Sequence, residues 1–354
     1  MSPSSAALPL AFKAGPGAIR YIQEYGVTPS SLGALAGAAG GPKWLVLAGI
    51  DKWLFGHWLT ERSTPLPAVG SSIGSWRFAA AAQPDATQAI ALLEQLYIEQ
   101  AFSEKPDRAE ITDMGRSILQ SVIGRTGVDN LLSHPWIRLH IITAHCQHLI
   151  ASDQRLALTA GFTWATLSNF LHREKLGGHL HRHVFADPRD PLPFSTFAGF
   201  NHQTFALTPN NGISALLASG SIPYVLNSVT VDARPGYRDG GLIDYHIDLP
   251  FTNDGVVFMP HFSSRFVSGW LDKALPWRKP GHRNNYLVIH PTEAWIASLP
   301  GKKIPDRSDF KRYSRDYDRR VTIWREVAAR SEELAECLAE RAAQQDWLAH
   351  IEPL

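Results

Sequence analysis

Apolar positions along the chain follow two rhythms. In residues 17–26, Ile19, Ile22 and Tyr25 recur at helical spacing and Gly26 ends the run, which predicts a short amphipathic helix. Small apolar residues at 32–36 predict a buried strand; glycines follow at once, and from Trp44 apolar side chains come densely enough for a buried helix. A short apolar run at 65–69 precedes two serines, with a second helix expected over 76–82. Isoleucines in partial alternation predict a strand at 136–146, and 183–193 reads as a strand running into a Pro/Asp loop. Residues 210–223 form a helix pattern stopped by Gly220 and Pro223, and the apolar runs 255–260 and 285–291, each ended by proline, read as further strands. Strands alternating with helices predict an α/β layered domain around a mostly parallel sheet. From Asp306 charge rises, and Val321, Trp324, Val327, Leu334, Leu338 and Ala342 fall near one face of a long helix. The expected organisation is one domain over 1–305 and a charged amphipathic helical tail over 306–354.

Composition narrows the class. Of the 354 residues 44% are hydrophobic and 19% charged, which suits a packed globular protein rather than a disordered chain. A formal net charge of +1 supplies no global field for nucleic acid. Two cysteines, Cys146 and Cys337, are too few for a disulfide framework and fit a reducing, cytoplasmic compartment. The opening residues lack the basic start and long apolar run of a leader. No apolar stretch is long enough to span a bilayer, so membrane contact is expected to be peripheral.

Three glycine-rich stretches carry candidate chemistry. In Gly70-Ser71-Ser72-Ile73-Gly74 a serine stands with glycine two before and two after, at a strand-to-helix passage. A nucleophile elbow needs that spacing because the serine sits on a strained turn where flanking side chains collide, and an ordinary turn feeding a helix is the alternative. Upstream, Gly40 and Gly41 could aim bare N–H groups at an oxyanion, or serve a tight turn. Downstream, Asp239 precedes Gly240 and Gly241, which leave its carboxylate accessible; Asp-Gly is equally a hairpin signal.

Glycine loop, G-x-S-x-G and D-G-G, in this order, resemble the patatin-like phospholipases, a family of serine acyl hydrolases. The stretches "LLASGSIPYVLNSV" and "YRDGGLIDYHIDLPF" are also similar, with Ala218-Ser219 followed by Ile222-Pro223 and Tyr237 two before Asp239. The resemblance spans about residues 37–250. It implies a three-layer α/β/α sandwich with a nucleophile Ser72 and a base Asp239, a dyad without histidine. Gly40, Gly41 and the N–H of Ile73 would form the oxyanion hole, supported by Gly70, Gly74, Gly240, Gly241 and by Lys43, which stands where the family usually carries arginine. The substrate would be a lipid or other acyl ester, with neither cofactor nor metal. The chain departs from the family pattern at Trp44 in place of the loop's last glycine, at Ser71 and the larger Ile73 in the elbow, and at Pro65 and Pro67 before it.

Rival readings remain open at this level. A Ser-Asp-His triad could recruit His246, His261, His282 or His290, and an acyltransferase differs from a hydrolase only in its acceptor. A catalytically degenerate lipid-binding or scaffold protein is the reading from another class. The histidine-rich stretches 140–148 and 172–183 invite a metal site; in the second, His179, His181 and His183 alternate as along a strand face, but no carboxylate or cysteine stands at a recognised metal spacing, so they read as surface or packing histidines. Between Arg265 and Arg325 stand 14 Lys/Arg against 6 Asp/Glu, interleaved with Trp270, Trp277, Trp295, Tyr313 and Tyr317. Such a stretch suits docking on an anionic bilayer, or a solvated face.

Overall fold

The computed structural model describes residues 8–124, 126–195 and 200–354; the first seven residues, part of the stretch read for a leader, lie outside them. Its centre is one 11-stranded sheet. In chain order the strands are β1 (Leu10–Ala14), β2 (Leu32–Gly37), β3 (Leu66–Ser71), β4 (Ile137–Cys146), β5 (Leu180–Ala186), β6 (His202–Ala206), β7 (Val229–Val231), β8 (Arg234–Asp239), β9 (Val256–Pro260), β10 (Tyr286–Pro291) and β11 (Ile351–Pro353). They lie in the order β11-β1-β10-β9-β2-β3-β4-β5-β6, with β8 pairing β4 and β7. The five central strands from β10 to β4 are mutually parallel, and antiparallel pairs flank them. Helical layers cover both faces, giving a three-layer α/β/α sandwich. That burial explains why β3, β9 and β10 are uninterrupted runs without a polar face: every one of their residues is buried.

Helix Ile73–Ala81 follows β3 directly and starts three residues earlier than its apolar pattern predicts. It packs against Ala86–Ile98, Arg108–Ile123 and Gly212–Ser219. The dense run after Trp44 is broken rather than continuous, with a 3-10 turn Gly41–Leu47, an α-helix Ala48–Trp53 and a π turn Leu54–Trp58. The bidentate pair of Arg77 with Asp51, both bonds 2.6 Å and both side chains buried, ties the elbow's helix to Ala48–Trp53.

Past residue 306 the chain is built into the same core. Helix Tyr317–Gln344 buries Val321, Trp324, Val327, Leu334 and Leu338 in the main apolar cluster and lies along the Gly41–Leu47 turn. Strand β11 then joins the sheet beside β1. Among the described residues no helix is long and apolar enough to cross a membrane.

Candidate active site

Strand β4 is the ruler that assembles the site. Its first half pairs with β3, Ser71 standing opposite Ile142. Its second half pairs with β8, Asp239 standing opposite Thr143. Because β5 occupies the other edge of β4 from His140 to Cys146, β3 and β8 share one edge and their carboxyl ends abut. Residues 167 apart in sequence therefore meet, and Ser72 Oγ donates to Asp239 Oδ2 at 2.9 Å.

Ser72 has φ 56° and ψ −129° and caps the helix without a side-chain capping bond. A non-glycine residue in such a region costs on the order of 1–3 kcal/mol, so the surroundings must hold it there. Ser219 Oγ accepts from the Ser72 N–H at 2.8 Å while donating to the Ile142 carbonyl at 2.6 Å, and Ser75 Oγ donates to the Ser72 carbonyl at 2.7 Å. Ser219, legible only as part of the Ala-Ser stretch before Ile-Pro, is thus the clamp of the elbow.

The elbow glycines are required by close approach. A Cβ on Gly70 would lie 2.5 Å from Ser75 N, and one on Gly74 would overlap the Gly37 carbonyl, where the helix crosses the end of β2. After Asp239 the chain enters a 3-10 turn, Gly240–Leu242, instead of a hairpin. The Gly241 N–H donates to Asp239 Oδ1 at 2.7 Å, fixing the carboxylate so that its other oxygen meets the hydroxyl.

Gly40 is the N-cap and Gly41, at φ 56°, the first residue of the 3-10 turn, while Ile73 opens the elbow's helix. Helix geometry leaves such N–H groups without internal partners. Among the described residues none of the three donates to a backbone carbonyl elsewhere. The Ile73 side chain turns into the main apolar cluster, so its bulk does not narrow the site. Trp44 is buried edge-on against Tyr97, and Lys43 Nζ sits 5.0 Å over the Phe262 ring.

The site's electrostatics follow from burial. Loss of water pushes the Asp239 carboxyl up from its ordinary value, opposed by Arg307, the Gly241 N–H, the Ser72 hydroxyl and Lys273. Lys273, its Nζ 3.6 Å over the Tyr245 ring, is brought down to about 7 by burial first and by repulsion from Arg307 and Lys43, while Asp239 resists. Burial likewise lowers Lys43 and raises the Tyr97 phenol, and Tyr245 rises to about 12. Among the described residues none of Lys43, Lys273 and Arg307 closes an ion pair. No local motif announces Lys273, Arg307, Tyr97 or Tyr245; only the fold gathers them around the dyad.

A cavity of about 10 Å³, the room of roughly one water, adjoins the carboxylate, with Asp239, Tyr245, Trp270 and Arg307 among its walls. Open clefts of about 540 and 620 Å³ share Gln83, Pro84 and Asp85 past the far end of the elbow's helix and do not reach the dyad.

The triad candidates sit elsewhere. His290 Nδ1 bonds the Pro291 carbonyl at 2.9 Å on β10, and His246 and His261 pack ring to ring at 4.2 Å, with His261 Nδ1 on the Ser263 carbonyl. His282 lies beside Asp248. Among the described residues no histidine hydrogen-bonds Ser72 or Asp239.

Antiparallel pairing brings His145 to His181 and His183, their ligand atoms within 4.8 Å of one another. Spacing along one segment could not foresee this, because His145 comes from the neighbouring strand. The rings of His145 and His183 are stacked, 4.6 Å apart at 19°. One nitrogen of each ring is already engaged, His183 Nδ1 with the Tyr237 hydroxyl at 3.0 Å and His145 Nε2 with the Pro235 carbonyl at 3.1 Å. His179 bonds Ser168 instead.

No protein-family model matches the chain, and a search of curated proteins returns no match.

Proposed function

We propose that the chain is a serine acyl hydrolase of carboxylic esters of lipids, working through Ser72 and Asp239. The observation that carries this is the direct 2.9 Å bond from the hydroxyl to a buried, basic carboxylate on a strained strand-to-helix elbow. An unassisted serine hydroxyl is a poor nucleophile. As Oγ attacks the ester carbonyl its proton passes to Asp239 Oδ2, and the tetrahedral oxyanion is received by the N–H groups of Ile73, Gly40 and Gly41. Asp239 then returns the proton to the departing alcohol, leaving an acyl-serine. Water attacks that ester, gives its proton to Asp239, and the proton goes back to Ser72 as the fatty acid leaves. Each oxyanion donor lowers the barrier by about 3 kcal/mol. Burial makes the Asp239 carboxylate a stronger base than an ordinary one, and Lys43, Lys273 and Arg307, which close no ion pair among the described residues, favour an ester carrying negative charge.

The bond between hydroxyl and carboxylate supports a dyad over a triad, because it occupies the face of Ser72 that a histidine would need. The test is labelling by a fluorophosphonate together with hydrolysis of nitrophenyl esters of graded chain length. Ser72→Ala should lose both, Asp239→Asn should lose turnover, and His290→Ala and His261→Ala should keep it. Wild-type rates in Ser72→Ala or Asp239→Asn would end the dyad proposal. Rates lost in a histidine variant that still folds would favour the triad.

A further inference from the structure

Helix Arg155–Leu171 is apolar on two sides. Leu158, Phe162 and Ala165 are buried, whereas Leu156, Trp164, Leu167, Phe170 and Leu171 stand in water, Leu156 at 87% exposure and Trp164 at 64%. Their spacing places them along one outer stripe. Trp277, 62% exposed, lies edge-on to Phe170 at 6.2 Å and carries the stripe onto the next loop. Contiguous apolar surface of this kind marks an interaction site.

Charge and position say what covers it. Residues 155–173 contain no Asp or Glu, and the exposed Arg155, Lys175 and Lys279 flank the stripe, Glu174 being the exposed acid beside Lys175. Leucines and tryptophan rimmed by cations are the composition of a helix lying in the headgroup region of an anionic bilayer. The opposite face of the helix leads to the dyad: Phe162 touches Trp270 at 6.2 Å and Tyr224 at 5.8 Å, and Trp270 is a wall of the cavity beside Asp239. Asn169 and Arg173 both bind Asp272, at 2.9 and 2.5 Å, which fixes the helix on the loop that carries Lys273 and Trp277. By contrast Trp295, in the basic stretch, is buried with its indole N–H on Glu333.

We infer that the outer stripe of helix Arg155–Leu171, extended by Trp277, docks the chain on an anionic phospholipid bilayer with the dyad's cavity on the membrane side. The docking stands on the surface alone; only its use in lipolysis rests on the acyl-hydrolase reading. The test is co-sedimentation of the full chain with phosphatidylcholine vesicles, with and without phosphatidylglycerol. Wild type should pellet with the anionic vesicles. Trp164→Asp combined with Leu167→Asp should lower partitioning about tenfold or more, since two large apolar side chains leave the lipid. Lys175→Glu with Lys279→Glu should abolish the preference for phosphatidylglycerol. Circular dichroism and thermal melting, measured in parallel, report that the variants fold, and Ser72→Ala should bind vesicles as wild type does, which separates this test from that of the dyad. Undiminished binding by the Asp variant, or no binding by wild type, overturns the inference. So does a wild-type dimer on size-exclusion chromatography that the Asp variant splits, because the stripe then belongs to a second copy of the chain.

Discussion

Replacing Lys273 with methionine should make the protein more stable and less able to work in acid. Burial, with repulsion from Arg307 and Lys43, brings this amine from 10.5 to about 7. At about 1.4 kcal/mol per pH unit the displacement bounds the cost of folding with the charge in place at about 5 kcal/mol. Part of the side chain remains in water, and screening reduces the figure to roughly 1–2 kcal/mol. Methionine keeps an apolar stem against Tyr245 and removes the charge. Because the folded-state pKa lies below the unfolded one, unfolding takes up a proton between about pH 7 and about pH 10.5. Wild-type stability should climb with pH across that window, having paid the full cost below it. Lys273→Met should therefore melt a few degrees above wild type near pH 6, with the gap closing toward pH 10. Lys273 is also one of the groups that hold the Asp239 carboxyl down, so the acid limb of ester hydrolysis should move to higher pH in the variant. Calorimetry over this pH range, with initial rates alongside, reads both effects. Equal melting temperatures at pH 6, or a gap unchanged at pH 10, would refute the account of Lys273 as a half-buried cation that closes no ion pair among the described residues.

Asp239→Asn should lose turnover yet melt higher than wild type at neutral pH. Its raised carboxyl makes wild-type stability fall as pH rises through the carboxylate range, and a pH series of melting curves shows whether the neutral amide removes that slope. Gly74→Ala should cost about 1–3 kcal/mol and slow ester hydrolysis, because the added methyl overlaps the Gly37 carbonyl and displaces the elbow; urea titration and rates together decide it. Asp51→Asn should cost about 3–5 kcal/mol by stranding buried Arg77, seen as a lowered denaturation midpoint while Ser72 labelling below the transition persists.

What the chain discloses without coordinates is what is local. The elbow is legible because a strained serine needs glycines at fixed offsets, and β2, β3, β9 and β10 because burial on both faces makes them unbroken apolar runs. The start of the elbow's helix was expected at Trp76 and lies at Ile73, since Gly74 and Ser75 carry no apolar rhythm and the turn is set by Ser72 itself. Strand β8 hides behind Pro235 and Gly236, and Tyr237 is its only large apolar residue; pairing with β4, not composition, makes it a strand. Lys273 and Arg307 are legible only as members of the basic stretch 265–325, because their place beside the dyad comes from lying near a carboxylate distant in sequence. His145 stands in one histidine-rich stretch and His181 and His183 in the other, and only antiparallel pairing shows that they meet.

The end-to-end meeting of β3 and β8 along β4 behaves as a splice in the sheet. The meeting of hydroxyl and carboxylate is then set by backbone registration, with Ser219, Ser75 and the Gly241 N–H holding the two ends in place. The apolar interior can drift through many substitutions of similar volume without retuning the chemistry. A single residue inserted between Ile137 and Ile142 would break the register that brings Ser72 to Asp239 and turn buried side chains of β4 onto the opposite face.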